Sequence, residues 1–260
     1  MTGVPLDDRG LLLGDGLFET ILALAGRPVA MEAHLDRLMA GCGSLGLPQP
    51  DRDQARALCL EALQALPQSE GRAAIRLTLT AGSGGRGLDR PAQVGLRLLA
   101  RAAPAPRPEG PARLRLSTVR RNEGSPVSRL KSLSYLDNVL ARQQAAPDEA
   151  LMLNNRGDLA CAGAANLFWL SGQQLYTPAP DCGVLPGIVR AQVLALAGRL
   201  GLEAREVHAE PQVLAAADGV FLTNSLIGVR PVVGLDRQTF PQSDLVSRLA
   251  AQIDGLSSSC

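Results

Sequence analysis

Residues 103–111 read Ala-Pro-Ala-Pro-Arg-Pro-Glu-Gly-Pro, and this stretch constrains the fold more than any other. Each proline lacks an N–H donor and fixes φ, so neither a helix nor a central strand can run through the segment. Its extended, semi-rigid character suits a connection between two bodies. The chain is therefore expected to form a domain over 1–102, a linker over 103–111 and a larger domain over 112–260. With 260 residues in all, both parts are long enough to bury a core.

Periodicity on either side predicts a mixture of elements. Residues 11–30 read as two strand-like stretches around a turn at Gly26-Arg27-Pro28. From His34, the apolar residues Leu35, Leu38, Met39, Cys42 and Leu45 keep a helical period that Gly46 and Pro48 end. A second amphipathic helix is expected over 52–66. Strands over 73–80 and 94–100 flank a glycine-rich loop at 82–87. Beyond the linker the pattern predicts strands over 113–119, 149–153, 166–170, 204–207 and 220–223, with helices over 133–145 and 187–200. Strands interspersed with helices make the class α+β, or mixed α/β.

Composition removes several functions. Hydrophobic residues at 46% and charged residues at 20% mark a globular chain. A formal net charge of +1 gives no field for a polyanion, and 3% aromatics leave no base-stacking platform. A nucleic-acid partner is not expected. No apolar run reaches the ~18–20 residues that span a bilayer, and Met1 to Arg9 lack the order of a signal peptide. The protein is expected to be soluble and cytoplasmic. The cysteines, Cys42, Cys59, Cys161, Cys182 and Cys260, are odd in number and show no C-x-x-C spacing. With only His34 and His208 beside them, the expectation is reduced, mostly buried thiols and no metal.

Of 26 lysines and arginines, one is lysine, Lys131. A guanidinium stays protonated at any working pH and cannot replace an amine that must attack a carbonyl. A lysine that persists where arginine is otherwise used is a candidate nucleophile. On composition alone, an ordinary surface lysine accounts for the count equally well.

Four local patterns add to it. Gly14-Asp15-Gly16-Leu17-Phe18-Glu19-Thr20 suggests a tight turn before a strand. In His34-Leu35-Asp36-Arg37-Leu38, Arg37 offers a forked donor to an anion, or a solvated helix face. Gly183 to Arg190 is a glycine-bounded loop entering a helix, whose first N–H groups form a phosphate site; it also reads as a plain helix start. Thr223-Asn224-Ser225 offers hydroxyl and backbone donors, or a simple loop. One lysine, two backbone anion sites and a helix arginine together suit a phosphorylated aldehyde cofactor.

The order and wording of these segments, from Arg9 to Asp236, resemble the fold-type IV enzymes that use pyridoxal 5'-phosphate (PLP), the class IV aminotransferases. The family includes branched-chain aminotransferase, D-amino acid aminotransferase and 4-amino-4-deoxychorismate lyase. The resemblance implies a small α+β domain, a larger PLP-binding domain built around a pseudo-barrel, a homodimer, and a small-molecule amino substrate. Lys131 matches the Schiff-base lysine and Arg37 the phosphate arginine. Ile188 and Val189 match the backbone donors at the helix start. Ser225 matches a phosphate hydroxyl, with Asn224 and Leu226 beside it as further cofactor contacts. Tyr135 lies near a tyrosine that some members place by the cofactor. Arg76 aligns with a substrate-side position, and Arg86 and Arg230 are further candidates for substrate carboxylates.

Within the family, residues 77–87 and 221–232 resemble the lyases, whereas the stretch around Lys131 is closer to D-amino acid aminotransferase. One position departs from the pattern. The family places a glutamate five residues before the asparagine of its Asn-Leu-Phe motif, where it keeps the pyridine nitrogen protonated. Here that position is Cys161. A thiol does not hold the ring charged, so the ring is a weaker electron sink. This favours elimination over transamination. The implied activity is cleavage of 4-amino-4-deoxychorismate to 4-aminobenzoate and pyruvate on the folate route. The alternatives are a D-amino acid or branched-chain aminotransferase, and a PLP-binding relative without turnover.

Overall fold

A computed structural model describes residues 3–66 and 71–258 of the chain. Cys260 lies outside the described residues. The chain forms two compact units. The first comprises residues 3–106 together with Leu130–Ser134; the second comprises Arg107–Arg129 and residues 135–258.

The first unit begins with a short helix α1 (Arg9–Leu13), where the residue pattern suggested a strand. Two local signals explain the difference. Asp8 caps the helix by accepting from the Gly10 amide, and Gly14 stops it in the left-handed region at φ 66°. Then come β1 (Gly16–Leu24), β2 (Arg27–Pro28), α2 (Met31–Leu45), α3 (Arg52–Gln64), β3 (Arg72–Thr80) and β4 (Arg97–Pro104). The strands make an antiparallel sheet in the order β2-β1-β3-β4. Alternation along β1 decides its two faces. Leu17, Ile21 and Ala23 lie opposite Leu79, Ile75 and Ala73. They share a core with Leu35, Leu38 and Cys42 of α2 and with Ala55 and Cys59 of α3. Truncating a fully buried member such as Leu35 to alanine costs about 2–5 kcal/mol. Phe18, Thr20 and Leu22 point to the other face. β4 extends into the proline-rich stretch as far as Pro104, which the sheet accepts because β4 is its edge.

The segment 130–134 requires a correction. The sequence places Lys131 in the larger domain and starts a helix at Leu133. Instead, the Phe18 amide donates to the Lys131 carbonyl at 2.8 Å and the Leu133 amide to the Gly16 carbonyl at 3.0 Å. Ser132 bridges Leu17. β2 is only two residues long and covers the far end of β1. The near end of β1 is thus an open edge whose backbone groups need partners. Residues 131–133 supply them.

The second unit contains β5 (Ala112–Leu116), α4 (Leu136–Ala145), β6 (Glu149–Leu153), β7 (Leu159–Ala162), β8 (Asn166–Ser171), β9 (Gln174–Pro178), α5 (Ile188–Ala197), β10 (Glu203–Val207), β11 (Gly219–Asn224), β12 (Gly228–Leu235), β13 (Gln238–Thr239) and α6 (Asp244–Ser258). Its sheet runs β10-β9-β8-β11-β12-β5-β6-β7, with β13 on β12. Leu159 and Ala162 of β7, at one end of that path, share a single buried cluster with Leu167 and Trp169 of β8 and with Leu114, Leu151, Leu222 and Val232. A sheet whose distant strands face one core is curled. The outward residues Phe168, Leu170, Phe221 and Val229 pack against Val189, Val193 and Leu196 of α5 and Val246, Leu249 and Ile253 of α6. Near β7, Ala141 and Ala145 of α4 cover Ala150, Met152 and Cys161. The class is the mixed α+β expected. Among the described residues, no helix is long and apolar enough to cross a membrane.

Candidate active site

In the first unit, the chemistry gathers around one aromatic ring. Lys131 Nζ lies 4.3 Å from the centroid of the Phe18 ring, and Arg76 Cζ lies 3.7 Å from it. The register explains the second contact. Arg76 lies opposite Thr20, on the same face of the sheet as Phe18. The ring's negative face attracts both cations.

Glu19 is the next residue along β1 and points to the opposite face, into the core, where it is 1% exposed. A carboxylate there needs partners. It accepts from Arg37 Nε at 2.8 Å and Arg37 Nη2 at 2.6 Å, and pairs with His34 Nδ1 at 2.7 Å. Helix α2 presents His34 and Arg37 three residues apart, so they fall on one side of it. Burial pushes the Glu19 pKa up, but Arg37 and His34 outweigh it and the net shift is downward. Burial lowers the His34 pKa, against the pull of Glu19. An ionised carboxylate only accepts, so Nδ1 of a neutral His34 carries the proton.

This setting acts on Lys131. Burial is the largest influence and Arg37 adds to it; Glu19 opposes, and Arg76 again lowers. Together they bring the amine from 10.5 to about 8. A lysine so placed has a sizeable neutral fraction near physiological pH, which a nucleophile or general base requires. Of the other arginine candidates, Arg86 is exposed in the loop after β3, where its backbone bridges Asp89.

In the second unit, Gly187 precedes α5 and no side chain caps that helix. Its first amides keep the donor capacity that suits a phosphate at Ile188 and Val189. Asn166, at the start of β8, donates to the Leu185 carbonyl at 2.9 Å and pins the loop. A Cβ at Gly187 would fall 2.0 Å from Asn166 Oδ1, so any side chain there would force Asn166 or the loop to shift. Asn166 pairs with Thr223 of β11, which brings the 223–226 turn beside the same loop. Asn224 spends its side chain on that turn. It donates to the Ala164 carbonyl at 2.9 Å and accepts from the amides of Leu226 and Ile227. Next to it, Thr223 Oγ1 is buried without a hydrogen-bond partner. An orphaned hydroxyl, an uncapped helix start and a glycine cradle fit a phosphate group. Tyr135 stands at the N-terminus of α4. Arg230 donates to the Gly110 carbonyl at 3.1 Å and lies 3.7 Å from Glu149.

Cys161 is 7% exposed among Ala141, Ala145, Ala150, Met152 and Ala160. Burial raises its thiol pKa, and Arg121 opposes. Arg121 is itself buried. It donates to Asn138 Oδ1 at 3.0 Å, to the Gly183 carbonyl at 3.3 Å and to the Ser128 carbonyl. Cys42, Cys59 and Cys182 are also free and buried.

Sequence reasoning missed Phe18, Glu19, Arg121 and Asn166 as site residues. The signal for Glu19 was available: an acidic residue at the inward position of an otherwise apolar strand face. Arg121 and Asn166 carry no such local signal, because their importance lies in contacts with distant backbone.

The chain and its fold are similar to those of known proteins. The profile of the family described as Amino-transferase class IV matches residues 16–235. The chain is 29% identical over 247 residues to an aminodeoxychorismate lyase of Bacillus subtilis, covering 90% of this chain and 82% of that one. It is 34% identical over 242 residues to a putative branched-chain-amino-acid aminotransferase of Methanocaldococcus jannaschii, covering 90% and 83%. The structure superposes on that of 4-amino-4-deoxychorismate lyase from Pseudomonas aeruginosa with a TM-score of 0.89 and 32% identity, over 98% of this chain and 96% of that one. The chain belongs to the class IV aminotransferase family.

Proposed function

We propose that this protein cleaves 4-amino-4-deoxychorismate to 4-aminobenzoate and pyruvate, with PLP as cofactor, on the route to folate. The observation that carries the chemistry is Lys131, the only lysine in the chain, whose amine is brought to about 8. The choice of lyase is supported by the similar proteins of that name and by the absence of a carboxylate at Cys161, which sits among apolar side chains.

When bound, PLP supplies an electron sink for the amino-bearing carbon. In this reading Arg37, the amides of Ile188 and Val189, and the 223–226 turn with Ser225 hold the phosphate. Tyr135, at the start of α4, is a further candidate for contact with the cofactor. Lys131 would hold the cofactor covalently through its amine and, as the free amine, would serve as the general base toward the proton on the amino-bearing ring carbon. The three-carbon side chain leaves as pyruvate and the ring becomes aromatic. Substrate and products balance without a co-substrate. Arg76 orients a substrate carboxylate through its fork, with Arg86 and Arg230 as further candidates. The domain division expected at 103–111, with the cofactor in the larger domain, belongs to this reading. Leu11, Leu12 and Leu88 of the first unit are exposed at 60%, 64% and 83%, and apolar surface of this kind supports a homodimer. Free buried thiols support a cytoplasmic setting.

The test is turnover by PLP-loaded protein. Aminodeoxychorismate is offered alone, and L- and D-amino acids are offered with 2-oxoglutarate or pyruvate. Formation of 4-aminobenzoate without net amino transfer is expected, and its loss in Lys131→Ala. Amino transfer alone would favour the aminotransferase reading, which the Methanocaldococcus relative and the stretch around Lys131 support. Turnover by neither route would mark a non-catalytic relative.

A further inference from the structure

Three backbone ties in the second unit bring distant residues to one place. β9 and β10 are parallel neighbours with Pro178 opposite Val207, and the Ala179 amide donates to the Val207 carbonyl at 2.9 Å. The turn Pro180–Cys182 that follows β9 therefore meets His208, the residue after β10. The Leu159 amide donates to the Ala209 carbonyl at 2.7 Å, which adds Asp158. The thiol of Cys182, the imidazole of His208 and the carboxylate of Asp158 offer ligand atoms within 4.8 Å of one another.

Their orientation is more specific than their proximity. His208 Nδ1 lies 3.5 Å from Cys182 Sγ and 3.5 Å from Asp158 Oδ2. On the far side of the ring, His208 Nε2 lies 3.0 Å from Asp181 Oδ1 and 3.1 Å from Asp181 Oδ2. A carboxylate accepts, so Asp181 selects the tautomer with hydrogen on Nε2 and leaves the Nδ1 lone pair facing sulfur and oxygen. Metal-bound histidines are held in this way by an outer carboxylate. Ligand atoms about 2.0–2.3 Å from a tetrahedral ion stand about 3.5 Å apart. Two of the spacings here already match, and the third is within 4.8 Å.

We propose that Asp158, Cys182 and His208 form a site for a divalent transition ion of the zinc type, with solvent in the fourth position. One sulfur, one nitrogen and one oxygen donor select such an ion over magnesium or calcium. The expectation of no metal rested on local cysteine spacing and on having two histidines. It did not foresee a site assembled by strand pairing. The Cys182 thiol is pushed up to about 11, by burial first and then by Asp158 and Asp181, so binding near pH 7 displaces a proton. The neighbouring cation is Arg156, whose Nε lies 3.6 Å from Asp158 and 3.9 Å from Glu123. Half exposed, it can leave Asp158 for Glu123. Asn154 donates to Asp158 at 3.2 Å and steadies the carboxylate. Because Cys182 adjoins Gly183, an ion here would stiffen the start of the loop that leads to α5.

The experiment uses the full-length, PLP-loaded protein after treatment with chelator. Cobalt(II) is titrated and read by the visible d–d bands of a tetrahedral thiolate complex. Zinc is titrated calorimetrically at pH 7 in two buffers of different ionisation enthalpy. One equivalent is expected to bind, with release of about one proton. Cys182→Ser and His208→Gln should each abolish the cobalt bands, and Asp181→Asn should weaken zinc about 10–100-fold. His208 is 44% exposed, so His208→Gln tests the site even if Cys182→Ser fails to fold. Absence of tetrahedral bands in the wild-type protein, or bands unchanged in His208→Gln, would overturn the proposal.

Discussion

Glu19 meets Arg37 through both of its carboxylate oxygens, at 2.8 and 2.6 Å, from a position 1% exposed. The fork is fixed before any ligand arrives, because the acid is locked in the sheet and the base on α2. Glu19 also opposes the fall in the Lys131 pKa.

Glu19→Gln is therefore expected to act twice. Removing one partner of a buried pair costs about 3–5 kcal/mol of stability, read by denaturant unfolding. In the protein that folds, the Lys131 amine should titrate below about 8, moving the acid limb of the rate profile to lower pH. An unmoved limb would mean that Glu19 only braces Arg37.

Lys131 also sets a pH dependence of stability in PLP-free protein. Its folded pKa, about 8, lies below the ordinary 10.5, so between these values the unfolded chain binds more protons. Stability should rise with pH across that window, and the full penalty of the charged amine is present below it. Lys131→Met should flatten this rise in a comparison of unfolding midpoints at pH 7.5 to 10.5. Parallel curves would show that the amine is not desolvated.

Gly187→Ala puts a Cβ 2.0 Å from Asn166 Oδ1, so the loop or Asn166 must shift. Weaker PLP binding is expected, about 10-fold or more, by fluorescence titration. The fold should be kept, because the strain falls on a partly exposed loop. Unchanged affinity would remove the helix start from the phosphate site.

Cys161→Glu returns a carboxylate to the family's position, beside the buried Arg121. Overpacking among alanines is expected to cost about 1–3 kcal/mol. Amino transfer should rise relative to 4-aminobenzoate formation, and nitrogen NMR should report a protonated ring nitrogen. In the wild-type protein the same signal is expected to be unprotonated; a protonated ring there would sink the elimination argument.

What the sequence made legible follows from the range of each signal. The helical period from His34 to Leu45 appears as α2, because one buried face dictates it locally. β6 was read to the residue. β7, Leu-Ala-Cys-Ala, was invisible. It is four residues long and buried throughout, so it shows no alternation. Residues 131–133 were misread for a different reason. Their conformation is set by the open end of β1, more than a hundred residues away. Lys131 stood out as a residue type, whereas its lowered pKa depends first on burial and then on Arg37 and Arg76, which only the fold assembles around it.

The return of residues 130–134 to the first unit also bears on how the chain can be cut or recombined. A fragment ending at Pro106 would keep every strand of the four-stranded sheet. It would still lose the carbonyl that accepts from Phe18 and the amide that donates to Gly16. No single crossover point separates a self-sufficient N-terminal module from the rest. Gene fusions and shuffled chimaeras should therefore succeed only when residues 130–134 and β1 come from the same parent.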